Sequence, residues 1–163
     1  MATLAGTGSR AGAALKATGQ TVAVAESSAG GVISASLLAV PGASAYFKGG
    51  GVVYTSGSKT TLMAVADGAM AEARAATETH ALHLARSARV RLDADWGIGE
   101  TGAAGPAGNR YGDAPGHTCI GVAGPVEMTI TLDTGIPDRE ENMWAFAVAA
   151  LDLLTRCVSD QQP

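Results

Sequence analysis

Apolar positions along the chain come in two kinds of segment, separated by turns rich in Gly and Ser. Short runs of Val, Ala and Ile read as buried strands, and longer stretches with apolar residues at helical spacing read as helices. SRAGAALKAT (9–18) predicts a helix stopped by Gly19, and TVAVAES (21–27) predicts a buried strand. That strand runs into SAGGVISASLLAVPG, where a helix is expected from Gly30 or Gly31 to just before Pro41. GGVVYTS reads as the next strand, SKTTLMAV as a short helical or turn segment, and Met70–Leu92 as one helix. DWGIGETGAAGP reads as a strand ending in a glycine loop, and HTCIGVAG and EMTITLD as a hairpin turning at Gly124-Pro125. DREENMWAFAVAALDLLTRCV closes the chain as a helix with Asp138 as N-cap and an acidic first turn. This alternation predicts a single-domain three-layer α/β/α sandwich around a mixed sheet, spanning residues 1–163.

Composition narrows the picture. A chain of 163 residues suits one domain with a sizeable core. With 47% apolar but only 4% aromatic residues, that core must be built from Ala, Val, Leu and Ile. Twenty-two glycines are too many for a helical bundle and point to tight turns and to backbone that approaches a ligand closely. The net charge of -4 argues against a nucleic-acid partner while leaving room for a local anion site. Cys119 and Cys157 show no metal-ligand spacing. The amino-terminal segment has no apolar core typical of a signal peptide, and no run is long enough to cross a bilayer, so a soluble cytoplasmic domain is expected.

Three segments carry candidate chemistry. AESSAGG (25–31) joins a strand to a helix, where backbone N–H groups and the helix dipole could face an anion or a developing oxyanion. The plainer reading is a helix cap by Ser27 or Ser28. PGASAYFKGGGVVYTSGSK (41–59) supplies Ser44, Tyr54 and Lys59, a hydroxyl, a relay and an amine that could serve as base if its pKa is depressed. On a strand, Val52 and Tyr54 would share a face and Tyr54 could look into a cleft; the plainer reading is a solvated loop. ETGAAGPAG (100–108) repeats the strand-then-glycine arrangement with Thr101, and three such loops could converge on one crevice. GTGSRAG (6–12) imitates a dinucleotide fingerprint, but no strand precedes it. His80, His83 and His117 lack an acidic partner at matching spacing, so no metal is expected. Arg86, Arg89 and Arg91 read as a solvated helix end, and GPAGNRYGDAPG as the most mobile loop.

Together TVAVAESSAGG, VPGASAYFKGGGVVYTSGSK and ETGAAGPAG resemble the CinA C-terminal domain family, in order and over about residues 9–155. GIPDREENMWAFAVAALDLL is similar to that family's closing helix. The resemblance implies metal- and cofactor-independent hydrolysis of the carboxamide of nicotinamide mononucleotide to nicotinic acid mononucleotide and ammonia. It implies Ser44 as nucleophile, activated by Tyr54 and Lys59. Ser27, Gly30, Gly31, Thr101, Gly102 and Arg139 would line the pocket, with Arg139 on the substrate phosphate. A homo-oligomer binding a small-molecule nucleotide, with no nucleic-acid or membrane partner, is implied as well. The chain departs from the family pattern at Ser28-Ala29 (usually Cys-Thr), Ala43 (Ser), His117 (Gly) and Met143 (Arg). These departures leave a non-catalytic ligand-binding or regulatory module as the alternative. A nicotinamide-dependent reductase is disfavoured, because Tyr54 and Lys59 have one residue too many between them and no fingerprint precedes them.

Overall fold

The computed structural model describes residues 2–161. Five strands form one mixed sheet in the order β2-β1-β3-β4-β5. Strand β1 (Val22–Glu26) pairs in parallel with β2 (Phe47–Val52) and with β3 (Trp96–Ala103). Strands β4 (His117–Ala123) and β5 (Glu127–Asp133) complete the sheet in antiparallel sense, joined by the expected hairpin. Helices α1 (Leu4–Thr18), α2 (Val32–Leu38) and α6 (Arg139–Ser159) cover one face, and α3 (Ser56–Met63), α4 (Asp67–Glu72) and α5 (Glu78–Arg91) the other. The predicted three-layer α/β/α architecture is therefore found.

The two faces of β1 separate cleanly. Val22 and Val24 join the core beneath α1, α2 and α6 with Trp96, Ile98, Ile120 and Phe146. Ala23 and Ala25 face Met63, Leu84 and Ala88 of the opposite helices. Small residues on that second side let α5 settle close to the sheet. A Cβ at Gly97 or Gly99 would run into the carbonyl oxygens of Ala85 and Ala81, and one at Gly121 would meet the Leu82 backbone. Gly97, Gly99 and Gly121 thus serve helix-on-sheet contact, while others such as Gly19, Gly30 and Gly42 supply the positive φ that turns need.

Several boundaries differ from the sequence reading. Helix α1 begins at Leu4 with Thr3 as N-cap and absorbs GTGSRAG, whose Gly8 packs on the backbone of Ser36. The nucleotide-like cluster is a helix–helix contact. Strand β2 starts earlier than GGVVYTS suggests and ends at Val52, so Tyr54 stands beyond it and is 61% exposed. The expected helix 70–92 is interrupted at 73–77, where Ala76 takes a positive φ of 61°. Tertiary contacts hold that break open: Ala76 N–H donates to the Thr101 hydroxyl (3.0 Å) and Arg74 pairs with Asp113 (2.8 Å). The loop expected to be mobile is tied down through the same Asp113, which also accepts from the Asn109 side chain (2.8 Å).

Candidate active site

Because β1, β2 and β3 run parallel, their carboxyl ends present the loops after Glu26, Val52 and Ala103 on one edge of the sheet. This edge is where open α/β sheets bind ligands. A cavity of about 300 Å³ opens there, bordered by Ser28, Tyr54, Gly102–Asn109 and Arg139. Arg139 is the first residue of α6. Its Nη1 donates to the Gly105 carbonyl (2.6 Å) and its Nη2 reaches the Tyr54 hydroxyl (3.5 Å). Buried Asn142, one turn on, donates to the Ala104 and Ile136 carbonyls (2.7 and 2.8 Å) and fixes the glycine loop against α6. Three residues named from the sequence, Tyr54, Gly102 and Arg139, therefore meet on one cavity.

The serine turn behind this cavity is organised by two buried carboxylates. Glu26 accepts from the N–H groups of Gly31, Ile33 and Ser34 (2.8, 3.0 and 2.9 Å) and from the Ser34 hydroxyl (2.7 Å). Glu100 accepts from Ser27 N–H and Ala29 N–H (3.0 and 2.8 Å), from the Thr118 hydroxyl (2.8 Å) and from the Ser28 hydroxyl. Burial pushes the Glu100 pKa up, opposed by the donors from Ser28, Ala29, Thr118 and Ser27. The backbone donors at the start of α2 are thus satisfied by the chain itself. Of the turn, the N–H groups of Ser27, Ala29 and Gly31 are therefore not free for an anion. Gly30 and Gly31 shape the turn through positive φ values of 64° and 101°, and a Cβ on Gly30 would strike the Met143 side chain.

Lys59 is buried on the opposite side of the sheet, 4% exposed. Its Nζ is 2.9 Å from His80 Nε2, and His80 Nδ1 is 3.0 Å from the Ala73 carbonyl. Burial lowers the Lys59 pKa, and the nearby Glu100 charge partly restores it. Ser27 follows the last residue of β1, and its N–H donates to Glu100, the carboxylate whose charge acts on Lys59. Ser27 is 7% exposed, and its hydroxyl has no hydrogen-bond partner among the described residues. Thr101 shares this side, and its hydroxyl oxygen accepts from Ala76 N–H, which braces the 73–77 break and leaves the hydroxyl hydrogen available to donate.

Ser44 is placed elsewhere. It sits in a 3-10 turn, Ala43–Ala45, ahead of the amino end of β2, exposed to solvent. Six strand residues at roughly 3.3 Å each separate that end from Tyr54, so one chain cannot bring Ser44 to the cavity. The fold of one chain therefore does not bring Ser44 together with Tyr54 and Lys59. Tyr54 and Lys59 are not in hydrogen-bond contact either: one is on the rim, the other beneath the sheet edge.

The sequence reading missed Glu26, Glu100 and Asn142, and it considered His80 only as a metal ligand. A lone glutamate inside the apolar strand WGIGETGA was the available signal, because a buried carboxylate needs several donors. The three histidines are engaged separately: His80 with Lys59, His83 with Glu72 (2.6 Å) and His117 with Asp133 (2.7 Å).

Comparison with known proteins agrees with this architecture. The chain is 38% identical over 151 residues to a CinA-like protein of Gloeobacter violaceus, covering 91% of this chain and 35% of that one. It is 39% identical over 141 residues to a CinA-like protein of Frankia casuarinae, covering 85% and 32%. The chain thus spans about a third of the length of these relatives. Among solved structures, a competence-damaged protein (CinA) superfamily member from Escherichia coli superposes with a TM-score of 0.86 at 26% identity, over 94% of this chain and 90% of that one. A competence/damage-inducible protein from Agrobacterium tumefaciens gives 0.87 at 25% identity, over 98% and 99%. The family model of the CinA C-terminal domain matches residues 6–158, and the chain belongs to that family.

Proposed function

We propose that this domain hydrolyses the carboxamide of nicotinamide mononucleotide, with Ser27 rather than Ser44 as nucleophile and Lys59 as its base. The observation that carries this reading is the cavity at the strand ends. Arg139 and Tyr54 border it together with Ser28, and the neighbouring Ser27 N–H bonds Glu100, whose charge acts on the buried Lys59 amine. Arg139 keeps guanidinium N–H groups free for a phosphate after its bonds to Gly105 and Tyr54. Tyr54 provides a ring and hydroxyl at the rim.

In the proposed reaction the Ser27 oxygen attacks the carboxamide carbon while its proton passes to neutral Lys59 Nζ. The C–N bond breaks, the proton returns to the leaving nitrogen, and ammonia departs. Water then cleaves the acyl-serine ester, releasing nicotinic acid mononucleotide and restoring Ser27. Membership of the CinA C-terminal domain family supports the same activity.

Ammonia release from nicotinamide mononucleotide by the purified protein tests this. Ser27→Ala is expected to lower kcat/KM by at least about 100-fold, and Ser44→Ala to leave it within about twofold. Loss of turnover in Ser44→Ala alone would reject the assignment. One observation favours a binding module instead: Glu26 and Glu100 occupy backbone donors that could otherwise stabilise an oxyanion. Mononucleotide binding without ammonia release would select that reading.

A further inference from the structure

Lys59 is not an isolated buried amine. Its Nζ meets the bare side of an imidazole, and the identity of that side follows from the opposite nitrogen. A backbone carbonyl can only accept, so the 3.0 Å contact between His80 Nδ1 and the Ala73 oxygen places the imidazole hydrogen on Nδ1. His80 Nε2 then carries a lone pair, and at 2.9 Å it accepts an N–H from Lys59. Both side chains are buried, at 4% and 2% exposure, so water does not compete for this bond.

The surroundings lock the pair in place. Thr77 caps α5 by accepting from His80 N–H (3.3 Å), and the break at 73–77 turns the Ala73 carbonyl toward the ring. The break itself is held by Thr101 through Ala76 and by Arg74 through Asp113. The titratable groups that act on the two side chains are Glu100 from β3, which favours protonated Lys59, and His83 one turn along α5, which pairs with Glu72 of α4.

We propose that His80 is a positioning residue for Lys59: its Nε2 holds the amine against α5 and sets the pH at which Lys59 gives up its proton. The inference rests on Lys59 being the base of the proposed amidase. Burial drives Lys59 toward the neutral amine, which has the lone pair needed to take a proton from serine. A neutral imidazole acceptor opposes this, because it binds an ammonium hydrogen more strongly than an amine hydrogen. His80 therefore keeps the lysine basic enough to receive the proton while fixing where its nitrogen stands. The charge formed on Lys59 during attack is met by an acceptor already in place.

The protein has three lysines and three histidines, so each side chain is separable by nuclear magnetic resonance. With 13Cε-labelled lysine, Lys59 is assigned from the signal missing in Lys59→Met and titrated in the parent, His80→Leu and His80→Gln proteins. The Leu variant is expected to move the Lys59 midpoint down by about one pH unit, a tenfold change in protonation. The Gln variant, whose side-chain carbonyl can accept, is expected to recover most of that shift. The acidic limb of the kcat/KM profile should move in the same direction and by the same amount. An unchanged Lys59 midpoint in His80→Leu overturns the proposal.

Long-range 15N–1H correlation on the parent protein gives a second reading that needs no variant, should His80→Leu not fold. The Nδ1–H tautomer of His80 supports the proposal, and the Nε2–H tautomer overturns it. Neither spectrum depends on turnover. A Lys59 shift in protein that releases no ammonia would reject the amidase reading and leave the His80–Lys59 pair standing.

Discussion

A buried carboxylate is stable only when donors replace the water it has lost, and Glu100 shows how many that takes. Two backbone N–H groups converge on one oxygen and two hydroxyls on the other. Glu100→Leu removes all four acceptor contacts and strands the N–H groups of Ser27 and Ala29, at a cost of about 3 kcal/mol or more in urea unfolding. Glu100→Gln keeps one oxygen for those N–H groups and lets the hydroxyls rotate, so it should cost about 1 kcal/mol. The two variants separate further with pH. The folded pKa of Glu100 is raised, so its stabilising contribution is full below the unfolded value near 4.5 and is lost as pH rises through the folded value. Relative to the parent, the Gln variant should therefore gain stability as pH rises. A Leu variant as stable as the Gln variant would show that the turn does not depend on this carboxylate.

At the scale of elements, the contact that positions Lys59 is the seating of α5 on β3 and β4. Gly97, Gly99 and Gly121 allow the helix backbone to approach the sheet with no side chain between. Gly99→Ala places a methyl group against the Ala81 carbonyl and Leu84, and α5 must move away from the sheet. Overpacking of this kind costs roughly 1–3 kcal/mol, read as a lowered Tm. Because His80 precedes Ala81, the same substitution should also depress turnover in protein that remains folded. Gly57→Ala in α3 is the control: nothing lies within 4 Å of its added Cβ, and stability should be unchanged or slightly higher. Equal effects at the two positions would contradict the close-packing argument. The sequence showed these glycines without showing their use, since a glycine in a strand reads equally as a bulge, a ligand approach or a helix contact.

For the whole molecule, two histidines give stability opposing pH dependences. Burial lowers the His80 pKa, so its contribution is full above the unfolded value of 6.5 and is lost as pH falls through the folded one. Partial burial would lower the His117 pKa, yet hydrogen bonds to the Ala76 carbonyl and Asp133 and the charges of Asp113 and Asp133 raise it above 6.5. Its contribution is full below 6.5 and is lost as pH rises through the raised value. His117→Gln should accordingly cost more stability near pH 5.5 than near pH 9 when unfolding is followed by circular dichroism. An equal cost at both values would mean that the imidazolium does not bridge β4, β5 and the 73–77 break.

The sequence by itself determined the layered architecture, the hairpin and the closing helix capped by Asp138, because these depend on local periodicity, turn chemistry and capping. It also identified Tyr54, Gly102 and Arg139, which stand at strand ends or a helix start and face the same edge once the strands are parallel. Only the tertiary structure decided the remainder. The distance of Ser44 from Tyr54 depended on the end of β2 at which Ser44 falls, and strand direction within a sheet is a long-range property. The break between α4 and α5 arose from bonds to Thr101 and Asp113, distant in sequence, that outweigh continuous helical spacing. The partners of Glu100 and Lys59 came from separate elements, so no spacing along the chain could pair them.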